Sequence, residues 1–550
     1  MITRHVCCAL PAPKPRRGSA RRWALFSLAA IGLVLAVAVA WHSQATRRTR
    51  AVAALKAAGA VLVYDYEEDS SDWRKWRQPS LFQAQLDAMY RLKHPTFVPA
   101  PLPSSPPGPE WMRRLLGVEY FTGVHTLAFS GLADDQNGGK VSWIVGDTAA
   151  ADLERLPEIR WLNLANQAIT NSGLAHLEGL THLERLDLTG TRITDAGLRH
   201  LVGLAELKEL ILSRTPITDE GLAHVGTLAQ LRRLDLSGIP LSVEGLSHLR
   251  GLTQLEELSV WIHGFGSTDG RSRFLESLTN LRILRLNGQG IGDIGLGDIA
   301  GLAKLEDLSL VGTTVSDAGL KHLARLSRLK KLLIMETPIR GEGLAHLRSL
   351  PELNELKLFR TEVSGERLSG LPPLPALAVL HLGKTRLGEK GMRWIGTLSK
   401  LQDLKVGGAG IDERAIKHLK MPGLRSLTLD SDKGITDAVI AELPPLPQLE
   451  ELSLQQTSIT DAGVQRLTRF VNLEKLYLSE TLVSDAGLMH LAALKQLQQL
   501  QVDQTRVTEP GVRKLEGMLP KCQVYGDWKL DPESAERVKR ILSGESIPVP

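Results

Sequence analysis

Three sets of residues in this sequence have types and spacings that could do chemistry. Gly290-Ile291-Gly292-Asp293-Ile294-Gly295 matches G-x-G-x-x-G, follows the strand-like Leu281-Arg282-Ile283-Leu284-Arg285-Leu286, and has Asp307 seventeen residues beyond Gly290. Taken alone this imitates a dinucleotide site, where glycines let the backbone approach a pyrophosphate at a helix start. Eight of the fifteen histidines, His176, His200, His224, His248, His322, His346, His418 and His490, share one sequence register, as a metal-binding array would. Carboxylates such as Glu209, Asp235, Glu257 and Asp307 are plentiful, as acid-base work would need.

The elements that must carry these residues take most of that chemistry away. Leu183 to Leu204 reads LERLDLTGTRITDAGLRHLVGL. Its first half alternates apolar and polar residues as a half-buried strand does, and its second half repeats leucine at helical spacing. Between them Thr194 and Asp195 form a helix start signal, because a side-chain oxygen accepts from orphan amides of the first turn. The unit restarts at Ile159, Leu183, Leu207, Leu231, Leu255, Leu281, Leu305, Leu329, Leu353, Leu377, Leu401, Leu424, Leu449, Leu473 and Leu497, stepping by 24 residues in eleven of fourteen intervals. In that register Gly295 is the glycine also found at Gly197, Gly221, Gly245, Gly319 and Gly343, so the G-x-G-x-x-G match belongs to the repeat. Helices stacked side by side lie about 8–10 Å apart, while zinc ligands each lie about 2 Å from one ion. The histidines therefore read as surface or groove residues. No Ser-His-Asp or Cys-His set, H-E-x-x-H helix or phosphate-binding loop emerges, and the sequence implies no enzyme, no metal and no cofactor.

A period in the twenties with this leucine pattern resembles the leucine-rich repeat, in which stacked units share one continuous core. The phrases ITDAGL at Ile193, ITDEGL at Ile217, VSDAGL at Val315 and ITDAGV at Ile459 are similar to the Thr-Asp-x-Gly-Leu variant of bacterial leucine-rich-repeat proteins and of F-box-type substrate receptors. The resemblance implies an α/β solenoid: a horseshoe with a parallel sheet on its concave face and short helices on its convex face. It implies too that threonines such as Thr191, Thr215, Thr313, Thr337, Thr361 and Thr457 take the place of an asparagine and satisfy backbone groups between neighbouring coils. Binding would fall on the strand residues that point out of the inner curve. A ubiquitin-ligase receptor would need an F-box-like adaptor before the repeats, where this chain has an apolar span and a proline spacer. A structural envelope component is a further alternative.

Net charge is +5, but residues 1–56 hold ten Lys or Arg and no Asp or Glu, leaving 56 basic against 61 acidic residues in the rest. That balance is no footprint for nucleic acid. Residues 1–22 read as a basic, disordered N-terminus. Residues 23–41, WALFSLAAIGLVLAVAVAW, carry no charge and would reach about 28 Å as a helix, close to a bilayer's hydrocarbon thickness. Tryptophans at both ends fit an aromatic belt. An N-terminal transmembrane helix is the favoured reading, with a secretory signal cleaved after Ala38-Val39-Ala40 as its rival. Either places the repeats outside the cytoplasm. Residues 42–109 read as a membrane-proximal stalk holding a strand at Val61–Tyr66, a helix at Ser80–Lys93 and the spacer PAPLPSSPPGP. Residues 110–158 read as an N-terminal cap, 159–520 as the repeats, and 521–550 as a closing strand and capping helix. Less its spacer, the stretch between span and repeats is small for a separate catalytic domain. Cys522 reads as a small buried hydrophobe.

Most outward strand positions are polar. Val311, Met335 and Phe359 share one register, and strands about 4.8 Å apart would make them a continuous apolar row with Leu333 beside it. A contiguous apolar patch rimmed by charge marks an interaction site. Trp261, Val311, Leu333, Met335 and Phe359 are the candidate anchors, and Arg285, Lys331 and Lys357 the candidate rim. An insertion after Leu255 suggests an aromatic loop, Trp261 to Phe265, overhanging the patch. The partner implied is a protein or other large envelope ligand.

Overall fold

The structure, a computed structural model, describes residues 50–52, 60–64, 124–129, 133–134, 140–141, 146–263 and 273–527. The chain divides into two compact units, Met1–Leu183 and Glu184–Pro550. No helix among the described residues is long and apolar enough to cross a membrane. The expected span at 23–41, the helix at 80–93, the proline spacer and the final helix at 531–542 lie outside them.

In the first unit β1 (Ala60–Tyr64) pairs antiparallel with β2 (Val124–Phe129), which pairs in parallel with β5 (Trp161–Asn163). The strand expected at Val61–Tyr66 is thus present as β1 and lies along an edge of β2. In the same unit β3 (Ala133–Asp134) pairs antiparallel with β4 (Lys140–Val141). The helix Asn171–Ala175 starts at Thr170, whose side chain accepts from Ser172 N–H.

The second unit repeats strand, turn and short helix. Its strands are β6 (Arg185–Asp187), β7 (Glu209–Ile211), β8 (Arg233–Leu241), β9 (Glu257–Ile262), β10 (Ile283–Asn287), β11 (Asp307–Val311), β12 (Lys331–Met335) and β13 (Glu355–Phe359). They continue as β14 (Val379–His381), β15 (Asp403–Lys405), β16 (Ser426–Thr428), β17 (Glu451–Ser453), β18 (Lys475–Tyr477), β19 (Gln499–Gln501) and β20 (Gln523–Tyr525). Each pairs in parallel with the next, repeat leucine beside repeat leucine, as in Leu308 with Leu332 and Leu332 with Leu356. Those leucines are at most 1% exposed, and burying each stabilises the stack by about 1.5–3 kcal/mol.

The helix-start motif does more than begin a helix. Asp461 accepts from both the backbone N–H and the hydroxyl of Ser484 in the next coil, at 2.7 and 2.6 Å. The same clamp joins Asp195 to Thr218, Asp293 to Ser316, Asp437 to Thr460 and Asp485 to Thr508. Where Thr460 donates its hydroxyl proton to Asp437, its oxygen remains an acceptor for Ala462 N–H, so one hydroxyl ties two coils and caps a helix. The repeat glycine follows from this. A Cβ at Gly221, Gly463 or Gly487 would lie 2.3–2.4 Å from the Oδ1 of the preceding coil's aspartate.

The threonines expected to bridge coils bond within their own. Thr191, Thr215, Thr457 and Thr481 donate to the carbonyl three residues back, because so short a side chain reaches no farther. Thr313, Thr337 and Thr361 have buried hydroxyls with no partner. Their would-be acceptors, the carbonyls of Leu310, Ile334 and Leu358, lie inside the five-residue strands β11, β12 and β13, whereas Leu188 and Leu454 fall just past three-residue strands. Valine at Thr337 is therefore expected to be neutral or stabilising, while valine at Thr457 costs about 1 kcal/mol. Urea midpoints of the two variants check the contrast.

At the far end the helix Glu509–Met518 precedes β20, which closes the ladder on β19. Cys522 is buried and unpaired by disulfide, and burial pushes its thiol up to about 11, as suits a packed hydrophobe.

Candidate recognition face

Strands β9 to β13 present three residues each on the face opposite the helices, since alternate side chains point away from the core. Ladder register puts Trp261 beside Asn287, Asn287 beside Val311, Val311 beside Met335, and Met335 beside Phe359. The apolar row expected from sequence is present, with Asn287 as a polar notch between Trp261 and the rest. Leu333 stands in the next row, between Ser309 and Lys357, and all four of Val311, Leu333, Met335 and Phe359 are half-buried.

Trp261 is not in an overhanging loop. It is the fifth residue of β9, 46% exposed, and the insertion comes after it; Gly264 and Phe265 lie outside the described residues. Gly288 holds a left-handed φ of +89°, and a Cβ there would meet Trp261 Cδ1 at 2.6 Å and Ile262 O at 2.4 Å. Glycine serves both needs: the backbone conformation and the closeness of the indole. Phe359 repeats the device, its ring 3.5 Å from where a Cβ on Gly383 would stand, with the Arg360 guanidinium 5.6 Å from the ring centroid. Both aromatic anchors are thus braced by a glycine one coil on.

The charged rim is more organised than expected. Lys331 and Lys357 both pair with Glu355, at 3.7 and 2.5 Å. Burial raises the Glu355 carboxyl, but the Lys357 hydrogen bond and the charges of Lys357 and Lys331 outweigh it and hold the group below its ordinary value. Asp307 goes the other way: burial pushes it up, against Arg285 and Lys331. Beyond Phe359, His381 pairs with Asp403 at 3.1 Å, yet burial holds the imidazole below its ordinary value. Glu355 and Gly288 were not singled out from sequence, and Asp307 was considered only for dinucleotide or acid-base chemistry. The signal lay in the alignment of the repeats, which sets Glu355 directly between Lys331 and Val379.

Among the described residues the other chemical features are accounted for by the repeat. Asp293 of the G-x-G-x-x-G match is occupied as a coil clamp by Ser316. Two of the aligned histidines meet a carboxylate of the preceding coil, His176 with Glu154 at 2.5 Å and His418 with Glu389 at 3.3 Å. Among the described residues no group of three or more His, Cys, Asp or Glu could hold a metal ion.

The family model described as leucine-rich repeat region matches residues 266–523, and that described as leucine rich repeat matches residues 157–217. A leucine-rich-repeat protein of Leptospira interrogans is similar over 68% of this chain and 98% of its own, at 20% identity and a TM-score of 0.46. An internalin of Listeria monocytogenes is similar over 64% of this chain and 89% of its own, at 19% identity and a TM-score of 0.41. No curated protein sequence matches the chain. Leucines in register from coil to coil, the parallel ladder they build and the two family matches agree: the chain is a leucine-rich-repeat protein.

Proposed function

We propose that this protein is a membrane-anchored, non-enzymatic recognition module. It holds its repeats on the extracytoplasmic side through residues 23–41 and binds a protein or other large envelope ligand on the face of β9 to β13. The observation that supports this reading is the half-buried apolar row Val311, Met335 and Phe359, bordered by Leu333, with Trp261 at its far end and charge around it. Scattered apolar residues need no reason on a surface, but a contiguous, charge-rimmed row is what recognition surfaces have. Several carboxylates hold the stack together, Asp195, Asp293, Asp437, Asp461 and Asp485 as coil clamps and Glu209 and Glu355 in ion pairs. Cross-linking in native membranes tests the idea. A partner captured by the wild type and lost from the M335A/F359A double variant supports it; equal capture by both ends it. Protease access to the repeats in intact cells tests the membrane side.

A further inference from the structure

The apolar row lies in an electrostatically biased setting. From β10 to β15, the outward strand residues and the turn residue after each row carry six cations, Arg285, Lys331, Lys357, Arg360, Lys384 and Lys405, against four carboxylates, Asp307, Glu336, Glu355 and Asp403. Three of the four carboxylates sit deeper than the exposed cations, Glu336 being the exception. The Glu355 side chain is 19% exposed beneath Lys331 at 55% and Lys357 at 34%, Asp307 is sheltered enough for burial to raise it, and Asp403 is engaged by His381. Glu336 is taken by Arg360 at 2.8 Å. Lys384 and Lys405 are exposed. Apart from the Arg360–Glu336 pair, a partner meets cations standing over acids that are paired or sheltered. Past Phe359 the row continues as Gly383 and Gly407, aligned by the bond from Lys384 N–H to Gly407 O at 2.8 Å, so the apolar row ends in a step without side chains next to Lys384 and Lys405.

The spacing of the row selects the shape of its occupant. Side chains on successive strands stand about 4.8 Å apart, close to the 5.4 Å or so of one helical turn and well short of the roughly 6.7 Å between same-side residues of an extended chain. We propose that this face takes an acidic amphipathic helix of a partner protein. Residues one turn apart rest on Val311, Met335 and Phe359, and the helix's carboxylates face Lys331, Lys357, Lys384 and Lys405. This rests on the recognition role proposed above and adds the partner's charge and shape.

Selection of displayed random helical peptides on the full chain, with parallel selections on M335A/F359A and K357E/K405E, tests it. On the wild type, enriched peptides are expected to carry apolar residues at i, i+3 or i+4, and i+7, with Asp and Glu in excess, and to bind M335A/F359A at least about tenfold more weakly. The K357E/K405E variant, altered only at exposed or half-exposed positions, is expected to enrich Lys and Arg instead. Peptides that depend on Met335 and Phe359 but show no acidic excess or no helical spacing would overturn this inference and leave the recognition role standing. Enrichment indifferent to Met335 and Phe359 would remove both. Single-stranded oligonucleotide retained on the same face, and released by F359A, would replace the helix with a nucleic-acid partner.

Discussion

Alanine at Gly487 is expected to destabilise the C-terminal coils by about 2–4 kcal/mol, out of proportion to the one methyl group added. A Cβ at that position would meet Asp461 Oδ1 at 2.4 Å and Val483 Cγ1 at 2.9 Å. Asp461 cannot retreat without releasing both the Ser484 amide and the Ser484 hydroxyl. Since hydrogen bonds to a charged acceptor contribute about 1.5–3 kcal/mol each, the clamp carries most of the expected loss. The backbone at Gly487 is ordinary helix, so close approach and not conformational freedom is what demands glycine. A double-mutant cycle with Asp461→Ala separates the two accounts. If the clamp is the cause, the added cost of Gly487→Ala shrinks once Asp461 is gone; a cost that stays the same in both backgrounds would place the strain elsewhere. In a stack where each coil leans on its neighbours, urea unfolding of the C-terminal coils, followed by hydrogen exchange there, reads the change most directly.

Removing Met335 and Phe359 together is expected to weaken partner capture about a hundredfold or more, as loss of paired hot-spot anchors does. Both side chains are half-buried on the strand face, above a leucine layer that the substitutions leave in place. Fold stability should therefore move far less than binding. Phe359 is the larger of the two contributors. It is braced by Gly383 and covered from one side by Arg360, so its ring is held before any partner arrives. Leucine at Phe359 is expected to recover part of the loss, since it restores apolar area without the ring. Capture that is unchanged in the double variant, with an unchanged melting temperature, would show the row to be an unused face.

Strand positions and their pairing were legible because alternation has a period of two and the repeat is nearly constant, so one aligned leucine sets every outward position in its coil. That is why Val311, Met335 and Phe359 could be placed side by side from the sequence. The clamp was not legible for the opposite reason. Thr194-Asp195 reads as a local helix cap, yet Asp195 acts on Thr218, twenty-three residues later and one coil on. Local pattern cannot distinguish an aspartate that caps its own helix from one that holds the next. The threonine ladder failed in the reverse direction: Thr191 and Thr457 act within their own coil, and whether the hydroxyl finds a carbonyl depends on strand length. For Trp261 the sequence offers two readings, an outward strand position and the start of an aromatic loop, and the alternation with Leu258 and Val260 that continues the strand to Ile262 favours the first. The braces under the two aromatic rings needed coordinates, because nothing in Gly288 or Gly383 reveals which side chain lies over it.

Oxidative footprinting by hydroxyl radicals, comparing the chain in its native membrane with the isolated chain, tests the central claim most directly. Trp261, Met335 and Phe359 are expected to be shielded in the membrane and reactive when isolated, while Met518, 42% exposed on the last helix before β20, reacts equally in both. Equal oxidation of the strand-face residues in the two settings, or protection confined to the helix side, would contradict it.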